Sequence, residues 1–182
     1  MVLGEHHAWT AAHSATVVGL AIRVARSLAV PAGVQSEVEL AALLHDIGKV
    51  GLPTALLEKT ERLNTREWQM VRRHSEFGER LVGAMPGLGF LGPAIRSAHE
   101  RWDGLGYPDG LSGEQIPMAS RIVFVCDSFD AMTTDRPYSK AMPQGGAMRE
   151  IRRNAGTQFW PDAVEALTWT LGMRSFPQSA QP

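Results

Sequence analysis

Apolar residues recur at three- and four-residue steps along most of this 182-residue chain, and short polar or Gly/Pro-rich breaks cut the pattern into helix-sized pieces. From about Glu5 to Ala29, the positions His13, Val17, Leu20, Ala21, Val24 and Leu28 form one stripe. His13 is thus expected on the buried face, with Arg23 and Arg26 elsewhere. Pro31 and Gly33 break the pattern. Ser36-Glu37-Val38-Glu39 reads as a capping box opening a second helix. The almost wholly apolar run Leu40 to Leu44 predicts that this helix lies deep in the core, and it ends in His45-Asp46-Ile47-Gly48-Lys49.

Asn64, with Glu67 three residues later, predicts another cap, and the helix it opens carries Trp68, Val71, Gly78 and Leu81 on one stripe with His74. Met85 to Gly92 is a loop. Pro93 suits the first turn of a short helix containing Ile95, Ala98, His99 and Trp102. A loop rich in Gly, Pro and Asp follows, to about Pro117. The run Arg121 to Met132 is too apolar for periodicity to separate strand from helix. With helices on both sides and no partner strand, helix is the consistent choice, and it buries Asp127. Helices over about Gln144 to Ala155 and Pro161 to Leu171 complete a single all-α domain over 1–174, with a disordered tail over 175–182.

Composition adds little to this and excludes much. The chain is 44% hydrophobic and 20% charged, with 18 Lys plus Arg against 19 Asp plus Glu, a net charge of -1. Phosphate-backbone binding wants a clear basic excess, so a polymeric nucleic acid is not the expected ligand. A small phosphorylated ligand, which needs only a few local cations, is not excluded. Cys126 is the single cysteine and cannot form an intramolecular disulfide. No run approaches the roughly 18 apolar residues of a membrane span, and the N-terminus lacks the pattern of a signal peptide. A cytoplasmic soluble protein without membrane contact is the expectation.

Chemistry enters through polar groups on apolar faces: His13, His45, His74, His99, Asp46 and Asp127. Singly, each has an ordinary explanation, such as a backbone hydrogen bond or a helix cap. Together they would need six separate rescues, whereas one cationic cluster satisfies them all. Imidazole and carboxylate suit Fe, Mn, Zn or Co, and the lack of thiolate argues against a structural zinc. Asp46 can bridge two ions, because a carboxylate has two oxygens to share. The chemistry expected is phosphoester hydrolysis by metal-activated hydroxide. Lys49, three residues after Asp46, is placed either to contact a phosphate or simply to stand in the loop. Arg136 and Lys140 are candidates for a second phosphate contact, or surface charge.

These segments, in this order, resemble the HD-GYP subgroup of the HD phosphohydrolases over nearly the whole chain, His13 to Leu171. The resemblance rests on His45-Asp46-Ile47-Gly48-Lys49, on His99-Glu100-Arg101-Trp102-Asp103-Gly104-Leu105-Gly106-Tyr107-Pro108, on Asp127-Ser128-Phe129-Asp130-Ala131 and on Asp135-Arg136-Pro137-Tyr138. It implies an all-α HD fold and hydrolysis of cyclic di-GMP to linear pGpG or GMP. By motif, it implies His13, His45, Asp46, His74, His99 and Asp127 as ligands of two divalent ions, with Lys49 and Arg136 on phosphate. It also implies that Gly106, Tyr107 and Pro108 line the substrate groove, where diguanylate cyclase-type partners dock in the family, and it leaves a homodimer open. The chain departs from the family pattern at Ala98, where a histidine is usual, which weakens the second ion's site. Trp9 stands where trinuclear members have a glutamate, Ser139 where a basic residue is common, and Trp160 where an aspartate is often found. The resemblance leaves two other readings open: a one-ion enzyme acting on another nucleotide, and a non-catalytic signalling module.

Overall fold

The architecture is all-α, as the periodicity predicts. The computed structural model describes residues 3–59, 61–135 and 140–173, with side chains from residue 13 onward. The expected tail over 175–182, Arg136, Ser139 and the Trp9 side chain lie outside the described residues. Nine α-helices run α1 (Leu3–Ser27), α2 (Ala32–Leu44), α3 (Thr54–Leu57), α4 (Thr65–Arg72), α5 (His74–Ala84), α6 (Gly92–Arg96), α7 (Met118–Thr133), α8 (Gln144–Arg153) and α9 (Pro161–Thr170), with no strand among the described residues. None is long and apolar enough to cross a membrane.

The stripe on α1 sets the centre of the fold. Val17, Ala21 and Val24 are fully buried and Leu20 nearly so, while Arg23 and Arg26 face outward. This face packs on α2, α7 and α9. The helix ends in a Schellman motif, with Val30 N–H donating to Ala25 C=O at 3.3 Å and Ala29 N–H to Arg26 C=O at 3.0 Å. Ala29 sits at φ 52°, a left-handed conformation in which its Cβ is unwelcome. Ala29→Gly is therefore expected to stabilise the chain by about 0.5–1 kcal/mol, read as a higher denaturation midpoint at unchanged slope. A lower midpoint would show that the added freedom of the unfolded chain outweighs the relieved strain.

Four local expectations need correction. The second helix begins at Ala32, four residues before the supposed capping box. Pro31, at φ -55° and ψ 151°, turns the chain, and its carbonyl accepts Gln35 N–H at 3.0 Å. Ser36 then lies inside the helix and its hydroxyl bonds back to Ala32 C=O at 3.2 Å, so it caps nothing. This helix is also less deep than expected, since Leu43 is 53% exposed.

The Asn64–Glu67 capping box forms as expected, with both reciprocal hydrogen bonds. Its helix stops at Arg72, however, and a new one starts at His74. Arg73 N–H reaches back only to Met70 and Val71, which tightens the turn. Trp68, before that break, is exposed, while His74 and Val82, after it, are buried. Finally, α6 ends at Arg96, so His99 and Trp102 follow on turns rather than on a helix.

The apolar run 121–132 is helical, within α7, and buries Ile122, Val123, Val125, Cys126 and Phe129. Burial pushes the Cys126 thiol up, which leaves it inert as a nucleophile. Trp160 stacks on Trp102 with ring centroids 6.3 Å apart. The Arg121 guanidinium lies over both rings, fastening the start of α9 to the long loop.

Candidate metal centre

Five segments deliver the polar residues to one place. His13 comes from α1, His45 caps the C-terminus of α2 and Asp46 follows it. His74 opens α5, His99 stands three residues beyond α6, and Asp127 lies within α7. The six residues form two triads, His13–His45–Asp127 and Asp46–His74–His99, and within each triad the ligand atoms lie within 4.8 Å of one another. The triads meet at Asp46. Its Oδ2 is 3.5 Å from His45 Nε2, and its Oδ1 is 3.4 Å from His74 Nε2 and 3.7 Å from His99 Nε2.

Three of the rings are oriented from behind. His45 Nδ1–H donates to Ala42 C=O at 2.8 Å, and His74 Nδ1–H to Val71 C=O at 2.6 Å. His13 Nδ1 faces Asp130 Oδ2 at 2.5 Å. A carbonyl behind Nδ1 selects for His45 and His74 the tautomer whose Nε2 lone pair points into the cluster, and Asp130 holds the His13 ring so that its Nε2 faces Asp127. Asp130, 4% exposed, was not identified as a site residue from sequence. The available signal was its place three residues after Asp127, which puts both carboxylates on one face of α7. Its partner is 117 residues away, so periodicity alone could not name it.

The cluster leaves some of its own polar atoms unsatisfied. His74 Nε2 and His99 Nε2 face each other at 3.0 Å. Burial and then the charge of His99 push His74 down to about 4, leaving it a neutral donor. Burial pulls His13 down too, but hydrogen bonds and charge from Asp127 and Asp130 outweigh it and bring it up to about 9. Burial opposes the Asp46 carboxylate, yet the Lys49 ammonium and the His45 and His99 rings hold it well below the usual range. His45 Nε2 and Asp46 Oδ1 are buried and have no hydrogen-bond partner among the described residues. Orphaned buried polar atoms are costly, and imidazole nitrogens around an ionised carboxylate are a donor set that fits divalent transition ions, whose binding would displace the His13 proton.

The loop after His99 folds over this cluster and is tied down from inside. Glu100, 2% exposed, accepts Asp109 N–H at 2.7 Å and Gly110 N–H at 3.0 Å on one oxygen. Gly106 lies against its own loop, where a Cβ would come within 2.4 Å of Arg101 N and 2.5 Å of Glu100 Cα, so no side chain fits there. This close approach brings Tyr107 onto the site, stacked on the His99 ring at 5.2 Å between centroids. From outside, Arg96 grips Asp109 at 2.6 and 2.7 Å and Glu79 at 2.8 Å, tying the loop to α5.

The remaining expected residues are placed unevenly. Lys49 donates to Asp46 Oδ2 at 2.5 Å, so its charge is paired within the cluster. Lys140 is exposed, just beyond the undescribed stretch that holds Arg136. Ala98 is 2% exposed, so its side of the turn is filled by packing rather than by a ligand.

Comparison with known proteins identifies the family. A family model described as an HD domain matches residues 1–163. A 3'3'-cGAMP-specific phosphodiesterase of Vibrio cholerae is 35% identical over 91% of this chain and 36% of its own length. A cyclic di-GMP phosphodiesterase of Thermotoga maritima is 38% identical over 85% of this chain and 42% of its own length. This chain thus spans well under half of the curated relatives it matches. Among solved structures, an HDG"Y"P protein of Bdellovibrio bacteriovorus superposes with a TM-score of 0.71 at 20% identity, covering 90% of this chain and 52% of that one. The HD domain of the L. monocytogenes phosphodiesterase PgpH, in complex with cyclic-di-AMP, gives 0.60 at 20% identity, with 95% and 94% covered. With its His-Asp pair at the meeting point of two triads and its Gly-Tyr-Pro loop stacked over them, the chain belongs to the HD-domain family, in its HD-GYP subgroup.

Proposed function

We propose that this chain is a metal-dependent phosphodiesterase that opens a cyclic dinucleotide, with cyclic di-GMP as substrate and pGpG, then GMP, as products. The observation that carries the reading is the pair of triads meeting at Asp46, with oriented Nε2 atoms on both sides. His13, His45, Asp46 and Asp127 would hold one divalent ion and Asp46, His74 and His99 a second. Bound there, such ions supply Lewis-acid stabilisation of phosphoryl charge and lower the pKa of a water.

The chain's own residues do the positioning. Ala42 and Val71 fix the tautomers of His45 and His74, Asp130 holds the His13 ring, and Glu100 and Gly106 keep the loop seated so that Tyr107 covers His99. The second ion has three candidate ligands from this chain, where a histidine at position 98 would give four, so it is the more weakly held. The reading treats residues 1–174 as one catalytic unit, supported by a continuous core drawn from α1, α2, α5, α6, α7, α8 and α9. Curated relatives named for cyclic di-GMP and for cGAMP both match, so the base is the point to test. Purified protein supplied with Mn²⁺ or Fe²⁺ should convert cyclic di-GMP to pGpG faster than it opens cGAMP or cyclic di-AMP. Absence of turnover with every metal would overturn the activity, and preference for another cyclic dinucleotide would overturn the substrate.

A further inference from the structure

Arg72 ends α4, two residues before His74, and is exposed. Its guanidinium carbon lies 5.1 Å from the centroid of the Tyr107 ring. Tyr107 in turn stacks on His99 at 5.2 Å and meets His74 edge-on at 6.4 Å. A three-layer stack of guanidinium, phenol and imidazole therefore runs from solvent to the second triad. A cation over an aromatic face keeps its N–H groups at the rim available, because the ring holds the flat side of the guanidinium and leaves the edge open.

Among the described residues, the arginines of α6, of the loop and of α7 near the site are already committed. Arg96 is paired with Asp109 and Glu79, Arg101 with Asp103, and Arg121 with the carbonyls of Ile116 and Glu114. Lys49 is paired with Asp46. Arg72 has no carboxylate partner among the described residues, and its guanidinium lies over the Tyr107 ring. It is also not required to complement the dipole at the end of α4, since Arg73 follows it directly.

We infer that Arg72, held over the Tyr107 ring, is a substrate-binding residue that grips the phosphodiester of the cyclic dinucleotide that is not being cut. A cyclic dinucleotide carries two such groups. With one at the triads, the other needs a cation at the rim of the same opening, and a planar guanidinium suits a phosphate's paired oxygens. This inference rests on the function proposed above and adds a specificity residue to it.

The test is steady-state kinetics of the metal-loaded chain and its Arg72→Ala and Arg72→Lys variants. Two substrates are compared: cyclic di-GMP, with two phosphodiesters, and bis(p-nitrophenyl) phosphate, with one. Losing a charge-assisted contact should raise KM for cyclic di-GMP in Arg72→Ala by about 10- to 100-fold relative to the change in KM for bis(p-nitrophenyl) phosphate. Arg72→Lys, which keeps the charge and loses the fork, should recover only part of that ratio. Metal per chain and melting temperature, measured on the same samples, separate a binding loss from a folding loss. Equal changes for both substrates, or an unchanged KM ratio, would overturn the role of Arg72 while leaving the activity standing. A wild-type chain that neither binds nor opens a cyclic dinucleotide would overturn the activity and this inference together.

Discussion

Asp46→Ala is expected to abolish turnover, by at least about a thousandfold, or roughly 4 kcal/mol of barrier, and to lower the metal held per chain at the same time. The two effects share one cause. Among the described residues, Asp46 alone has two oxygens that face both triads, with Oδ2 3.5 Å from His45 Nε2 and Oδ1 3.4 Å from His74 Nε2. Without it, each triad keeps its imidazoles and loses the anion between them, and Lys49 loses its partner. Asp46→Asn separates charge from shape, because an amide of the same size keeps an oxygen and loses the full negative charge. If Asn restores metal content without turnover, the charge serves the reaction. If neither variant loses metal or activity, Asp46 is not the junction of the site.

The second large effect comes from one methyl group outside the ligand set. Gly48→Ala would put a Cβ 1.9 Å from His74 C=O oxygen and 2.6 Å from Gly78 N, both backbone atoms that cannot rotate away. Gly48 lies in the short 3-10 turn Ile47–Gly51 directly after the His-Asp pair, and that turn rests on α5, the helix His74 opens. To admit the methyl, the turn and the helix must separate, drawing Asp46 from His74. A destabilisation of about 3 kcal/mol or more is expected, with loss of bound metal in whatever fraction still folds. Denaturant midpoints and elemental analysis check both. In the neighbouring Gly51→Ala the nearest obstacle is the Phe77 ring, at 2.5 Å, and a ring can move, so its cost is expected to be smaller. Gly19→Ala on α1 meets nothing within 4 Å and is expected to stabilise. Should Gly48→Ala unfold no earlier than Gly51→Ala, the tight turn-on-helix contact does not hold the site together.

The physics of helices made much of this chain legible before any coordinates. Periodicity placed His13 on the buried stripe of α1 because every third or fourth residue shares a face, and the Asn64 capping box marked its helix start through purely local bonds. The inward histidines and aspartates, together with the Gly-Tyr-Pro loop, pointed to a metal centre, because polar groups on apolar faces must be satisfied by something. The expectations that failed did so where a local signal competed with a neighbour. Ser36 had the form of a cap, but Pro31 had already turned the chain. His74 shared a pattern with Trp68, but the helix breaks at Arg73 between them, with one buried and the other in solvent.

What only the tertiary structure decided is which groups meet. The division of six residues into two triads joined by Asp46, the approach of Asp130 to His13 across 117 residues of sequence, and the backing of Tyr107 by Arg72 are distances between segments. No pattern along one segment contains them. Gly48 reads in sequence as a turn glycine, whereas in the fold it is the place where a turn presses on the helix that carries His74. Sequence determined the elements and the kinds of chemistry they carry, because these follow from a few neighbouring residues. Packing of those elements determined the site, because a metal centre is defined by where lone pairs converge.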